Sequence, residues 1–98
     1  MRFKGKVAIV TGSSTGIGEA IALAFGREGG DVVLAARSLD KLRSDAQKIK
    51  ESGGRALPLK TDISRLSDVE EMVEKTIQEF GRIDILVNNA AYTEISLK

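Results

Sequence analysis

The chain has 98 residues, a formal net charge of +1, 42% apolar and 30% charged residues, and no Cys, His or Trp. Such a length closes one modest core, and without Cys or His it excludes disulfides, thiol chemistry, thiolate or imidazole metal sites and His-dependent catalytic triads. One Tyr, three Phe and a near-zero charge provide neither a stacking platform nor a basic field, so neither nucleic acid nor an anionic membrane is an expected partner.

Arg2, Lys4 and Lys6 precede only a short apolar run, Val7 to Val10. A secretory h-region takes roughly 7–15 apolar residues and a membrane span roughly 20, so a cytoplasmic location is the default expectation. Lys6 to Thr11 reads as a first strand, apolar enough to be buried on both faces of a parallel sheet. A turn with Gly12, Gly16 and Gly18 follows. A helix then runs from Ile17, with Ile17, Ala20, Ile21, Ala24 and Phe25 predicted on its apolar face and Gly29-Gly30 ending it. Gly26 lies inside this helix at a cost of about 1 kcal/mol relative to Ala, with no reason visible in the pattern.

Val32 to Ala36 is a second buried strand. Ser38 can cap a second helix with Leu39, Leu42, Ala46 and Ile49 on its apolar face, ended at Gly53-Gly54. Ala56 to Lys60 is a third strand, and Pro58, lacking an N–H, assigns it to a sheet edge. Ser67-Asp68-Val69-Glu70 reads as a capping box for a third helix with Val69, Met72, Val73, Ile77 and Phe80 inward, stopped at Gly81. Along it, Glu71 and Lys75 form an i,i+4 pair on a solvated face. Ile83 to Val87 is the fourth strand. The βαβαβαβ order predicts an α/β fold, a Rossmann-type doubly wound parallel sheet in the order 3-2-1-4 with three helices. Its switch point between strands 1 and 4 is where such sheets bind ligands.

The glycine turn admits three readings. A P-loop needs four residues between its glycines and then Lys, which Gly12 and Gly16 do not provide. The nucleophile elbow G-x-S-x-G is matched by Gly12-Ser13-Ser14-Thr15-Gly16, but a chain without His lacks the usual base. The third reading is a dinucleotide-binding turn, in which a helix N-terminus offers unpaired N–H groups to a pyrophosphate. Taken singly, the three glycines could merely shape a turn, Asp62 could cap one, and Asn88 and Asn89 could satisfy buried backbone groups.

Thr11-Gly12-Ser13-Ser14-Thr15-Gly16-Ile17-Gly18 after the first strand, Asp62 after the third and Asn88-Asn89-Ala90-Ala91 after the fourth together resemble the short-chain dehydrogenase/reductase family. The resemblance covers essentially the whole chain, but only the first half or less of a typical member. It implies that Gly12, Gly16, Ile17 and Gly18, with Ser14 and Thr15 between them, cradle a cofactor pyrophosphate. It further implies that Asp62 and the Ile63 backbone bind adenine. Asn89, Ala90 and Ala91 would line the cofactor ribose and help tie the central strands together. The family usually has Gly at the position of Ala91. At Ala36-Arg37-Ser38 there is no carboxylate of the kind that binds the 2′-OH of NAD. Arg37 and Ser38 can instead grip a 2′-phosphate, which makes NADP the expected cofactor over NAD. NADP-preferring members often have a basic residue where this chain has Thr15.

The family's catalytic Tyr-x-x-x-Lys is not matched: Tyr92, the one tyrosine, is followed four residues on by Ser96. No catalytic residue is therefore assigned. The expected role is the NADP(H)-binding N-terminal portion, residues 1–98, of an oxidoreductase. Its longer form would move hydride between NADPH and a carbonyl or alcohol, with the small-molecule substrate bound only there. The alternative is a self-contained, non-catalytic nucleotide-binding or interaction module. In the order 3-2-1-4 the fourth strand lies at an open edge with apolar Ile85, Leu86 and Val87, so self-association through that edge is expected.

Overall fold

Seven elements alternate along the chain in the computed structural model, which describes residues 2–13 and 16–89. They are β1 (Val7–Thr11), α1 (Gly16–Arg27), β2 (Asp31–Ala36), α2 (Leu39–Glu51), β3 (Arg55–Lys60), α3 (Leu66–Phe80) and β4 (Ile85–Asn88). All strand pairs are parallel and the order is β3-β2-β1-β4, the Rossmann-type sheet that the element order predicts. β1 and β2 are central, which explains their continuous apolar runs: both of their faces are buried. β3, with Pro58 opposite Leu34, takes the edge.

Alternation along the strands sorts the core into two layers. Ala8, Val10, Val32 and Leu34 face α1 and α2, where Ala22, Phe25, Leu42, Ala46 and Ile49 close over them. Ile9, Val33 and Ala35 face α3, where Met72, Val69 and Phe80 cover them. Arg55 fastens the α3 layer at one end. It pairs with Asp31 at 2.6 Å and lies 4.9 Å from the centre of the Phe80 ring.

Several elements differ from the sequence expectation, each for a local reason. α1 buries Gly18, Ala22, Phe25 and Gly26, while Ile17, Ala20 and Ala24 are exposed and Ile21 is half-buried. The helix is turned so that small residues at 18, 22 and 26 allow close approach. A Cβ on Gly26 would stand 2.7 Å from Ile49 Cγ2, so this glycine is where α1 crosses α2. Ser38 does occupy the N-cap position of α2 but makes no side-chain cap bond.

The capping box does not form. α3 starts at Leu66 with Arg65 as N-cap, leaving Ser67 already inside the helix. The cause lies upstream: Asp62 Oδ1 accepts from Ser64 N at 3.0 Å and its carbonyl accepts from Arg65 N at 2.9 Å, which turns the chain into the helix early. In α3, Met72 and Thr76 are buried, whereas Val73 and Ile77 remain exposed. Thr76 tolerates burial because its hydroxyl donates to Met72 O at 2.7 Å. β4 begins at Ile85, not Ile83. Asp84 precedes it and brackets Val7, donating its N–H to Val7 O at 2.9 Å and accepting from Val7 N at 2.8 Å through Oδ2.

Candidate functional site

Parallel pairing puts the carboxyl ends of all four strands on one edge of the sheet. In register there, Thr11 pairs with both Ala35 and Asn88, and Ala36 pairs with Lys60. The predicted residues that lie within the described chain converge on this edge: Gly12, Gly16, Ile17 and Gly18 after β1, Arg37 and Ser38 after β2, Asp62 and Ile63 after β3, and Asn89 after β4. Ser14, Thr15, Ala90 and Ala91, together with Tyr92, lie outside the described residues.

The glycine turn is built by backbone conformations that only glycine takes readily. Gly12 has φ 65 and Gly16 has φ 57, both in the left-handed region. Gly12 N donates to Ala35 O at 2.9 Å, which carries the chain one step past the β1 ladder before it turns. Gly18 sits under the turn. A Cβ there would lie 2.5 Å from Gly12 O and 2.8 Å from Asn89 Nδ2, so any side chain would push α1 away from the loop. At Gly16 an added Cβ meets nothing within 4 Å among the described residues beyond its chain neighbours and the backbone of α1 itself. The first N–H groups of α1 have no intrahelical partners, and they carry the positive end of the helix dipole. Glu19, one residue on, is paired with Lys41 at 2.9 Å, which holds its carboxyl below the usual range and offsets its charge near the helix end.

A second link ties β4 to the turn. The Thr11 hydroxyl donates toward Asn88 Oδ1 at 3.1 Å and accepts from Asn89 N at 3.1 Å. Asn89 Nδ2 donates to Gly12 O at 3.4 Å. Thr11 was not among the expected site residues. Its signal in the sequence is a lone hydroxyl ending an apolar strand immediately before the first glycine.

Across the edge, Arg37 Nη2 stands 3.8 Å from Asp62 Oδ1, with the guanidinium mostly exposed. Asp62 is held firmly. Its Oδ1 accepts from Ser64 Oγ at 2.6 Å and Ser64 N at 3.0 Å, and its own N–H donates to Asp68 Oδ2 at 2.9 Å. The Ser64 bonds first, and Arg37 after them, keep its carboxyl below the ordinary range. The turn-capping role weighed for Asp62 from sequence is thus realised, and the same residue faces Arg37. The arrangement combines a helix N-terminus suited to an anion, a fixed carboxylate and an exposed cation beside it. No helix among the described residues is long and apolar enough to cross a membrane.

Comparison with known proteins bears on this geometry. The sequence pattern of the family described as short chain dehydrogenase matches residues 6–97. An uncharacterized oxidoreductase of Listeria innocua is 43% identical over 90 residues, which are 92% of this chain and 36% of that protein. The crystal structure of L-sorbose reductase from Gluconobacter frateurii, complexed with NADPH and L-sorbose, superposes with a TM-score of 0.86 at 47% identity, covering 91% of this chain and 34% of that one. An NAD+-bound xylitol dehydrogenase superposes with a TM-score of 0.88 at 34% identity, covering 94% of this chain and 35% of that one. The chain therefore spans about a third of the length of each of these three proteins.

Proposed function

Because the chain belongs to the short-chain dehydrogenase family, a family of nicotinamide-dinucleotide oxidoreductases, we propose that residues 1–98 are the N-terminal part of a dinucleotide-binding domain selective for NADP(H). In this reading Gly12, Ser14, Thr15, Gly16, Ile17 and Gly18 hold the pyrophosphate against the N-terminus of α1. Asp62 and Ile63 hold the adenine, and Asn89, Ala90 and Ala91 line the cofactor ribose. Arg37 and Ser38 take the 2′-phosphate. The observation that carries the preference is the exposed Arg37 guanidinium at the end of β2, in a stretch, Ala36 to Ser38, without any carboxylate to bind a ribose 2′-OH. The similar solved structures include both an NADPH complex and an NAD+ complex, which supports a nicotinamide dinucleotide at this edge.

The cofactor supplies hydride chemistry when bound; this chain contributes binding and orientation. Hydride exchange with a carbonyl or alcohol also needs a proton donor matched to the substrate, and no such group is assigned here. The full reaction and its small-molecule substrate thus belong to a longer protein, and the 98 residues alone are inactive. They also self-associate in this reading, through the β4 edge.

Titration of NADPH and NADH against the chain tests the cofactor choice. Bidentate, charge-assisted contacts contribute about 1.5–3 kcal/mol, so NADPH should bind about tenfold or more tightly. Arg37→Asp should abolish that preference. Equal affinities, or a preference that survives the substitution, overturn the NADP assignment. Gly16→Val tests the phosphate site itself. The new side chain adds bulk at the start of α1 and strains φ by about 1–2 kcal/mol. Binding of both cofactors should be lost while helical content by circular dichroism changes little.

A further inference from the structure

Away from the cofactor edge, α2 carries a charged group on its inward face. Asp45 lies among Leu42, Ala46 and Ile49, and its side chain has no exposed surface. Neither carboxyl oxygen accepts a hydrogen bond among the described residues. The nearest cations are Lys41 Nζ at 3.8 Å and Lys48 Nζ at 3.9 Å, both beyond hydrogen-bonding distance. A buried carboxylate is normally furnished with donors, so this one is anomalous if it is ionised.

What faces it explains the anomaly. From α1, Glu19 meets it at a shared ammonium: one Lys41 Nζ lies 2.9 Å from Glu19 Oε2 and 3.8 Å from Asp45 Oδ1, which gathers the two carboxyl groups around a single cation. Two carboxyl groups can bond to each other only if one of them carries a proton. Lys41 decides which one. Its Nζ sits 2.9 Å from Glu19 Oε2, favouring the ionised form there and leaving Asp45 as the acid. We propose that Glu19 and Asp45 hold one proton between them, an acid–carboxylate bridge that joins α1 to α2 while the proton is present and opens when it leaves. The Asp45 hydroxyl donates to a Glu19 oxygen, and Lys41 balances the remaining negative charge. The bridge lies in the joint that Gly26 and Ile49 also form, between the helix that opens the phosphate site and the helix that follows Arg37.

The charged groups acting on Asp45 are Glu19 from α1 and Lys41 and Lys48 from its own helix; β2 and β3 beneath α2 add none among the described residues. Burial first, and the contact with Glu19 second, push the Asp45 carboxyl up to about 6. The unfolded chain releases the same proton near pH 3.9. The folded state therefore binds the proton more tightly, and its stabilising effect is full below about pH 4 and lost as pH rises through about 6. Glu19, Asp62 and Asp84 have lowered carboxyls and act in the opposite sense, but only as pH falls to about 4 or below. Between pH 5 and 7.5 the bridge should dominate.

Denaturant unfolding of the chain at these two pH values, with carbon-13 NMR titration of the Asp45 carboxyl, tests the proposal. The unfolding equilibrium constant should rise about tenfold from pH 5 to 7.5, the ratio set by a midpoint of about 6. Asp45→Asn retains a donor toward Glu19 without the titration. It should flatten this dependence and be at least as stable as the parent at pH 7.5. Glu19→Gln removes the charge that Asp45 faces and should lower the Asp45 midpoint, a shift that a purely structural contact would not produce. An Asp45 midpoint near 4 in the parent, an unchanged pH dependence in Asp45→Asn, or an unmoved midpoint in Glu19→Gln each overturns the bridge.

Discussion

On the α1–α2 side of the sheet, Val10, Val32, Leu34, Leu42 and Ile49 are each 1% exposed or less, whereas on the α3 side Val73, Ile77 and Leu86 keep 40%, 45% and 60% of their surface. Both layers are built on the same two central strands, so the strands do not account for the difference. The helices do. α1 and α2 cross closely at Gly26 and Ile49 and jointly roof one face, while α3 alone rests on the other through Met72, Thr76 and Phe80. The candidate site draws on both sides, since Asp62 and Ile63 lead into α3, but its glycine turn and its cation belong to the closed one. The turn from Gly12 to Gly18 opens α1, and Arg37 and Ser38 lead into α2, so these candidate groups are carried by the better packed layer.

The sharpest way to break this comparison is Leu34→Ala. Leu34 is wholly buried in the middle of the closed layer, and its loss leaves a cavity between β2 and the two helices. A cost of about 2–5 kcal/mol is expected, enough to unfold much of a small domain. Denaturant melts should show a large fall in midpoint. A loss under 1 kcal/mol would mean that the α1–α2 layer is not the main source of stability.

Gly26→Ala comes next and probes the crossing itself. The added methyl meets Ile49 Cγ2 at 2.7 Å, and overpacking of this kind costs about 1–3 kcal/mol. Better helix propensity returns about 1 kcal/mol, so a net loss of up to about 2 kcal/mol is expected. Pairing the change with Ile49→Ala, which removes the clashing Cγ2 and Cγ1, should cost less than the two single changes summed. A stabilised Gly26→Ala would show that α1 and α2 can separate without cost.

The same contrast explains what could be read before the fold was known. The strands were legible because double burial makes β1 and β2 continuously apolar, and Pro58 alone assigned β3 to the edge and so fixed the order. The glycine turn and its convergence with Arg37, Asp62 and Asn89 on one edge followed from alternation of strands and helices. The face of α1 was not legible. Periodicity counts large apolar residues, and α1 packs through Gly18, Ala22 and Gly26, whose advantage is smallness. Asp45 was hidden for the opposite reason. Spacing places it on the inward face with Leu42, Ala46 and Ile49, but a carboxylate there is discounted until Glu19 is seen across from it. The capping box at Ser67 failed because the turn from Asp62 to Arg65 sets where α3 begins, and that turn competes with the local cap. Thr11 carries no periodic signal at all; its bonds to Asn88 and Asn89 exist only once β4 lies beside β1.

The smallest expected effect on stability, and the most direct probe of the open layer, comes from Ile77→Ser and Leu86→Ser. Both side chains are substantially exposed, so truncating them to a polar group should change unfolding free energy by no more than about 0.5 kcal/mol. Their effect on association should be larger than that. Leu86 stands beside Ile9 on the α3 side of β4, at the edge of the sheet, where apolar surface and strand edge coincide. Exposed edges with apolar side chains are templates for pairing with another chain, and only a charge or a break in the ladder blunts them. Asp84 does not serve that purpose here, because its carboxyl is turned inward to accept from Val7 N and to pair with Arg82 at 2.7 Å. Light scattering of the chain should therefore show species larger than a monomer, and Leu86→Ser should shift that distribution toward the monomer at unchanged melting midpoint, with Ile77→Ser doing so more weakly. A parent chain that is already monomeric would remove the edge from consideration. A Leu86→Ser variant as unstable as Leu34→Ala would erase the distinction between the two layers.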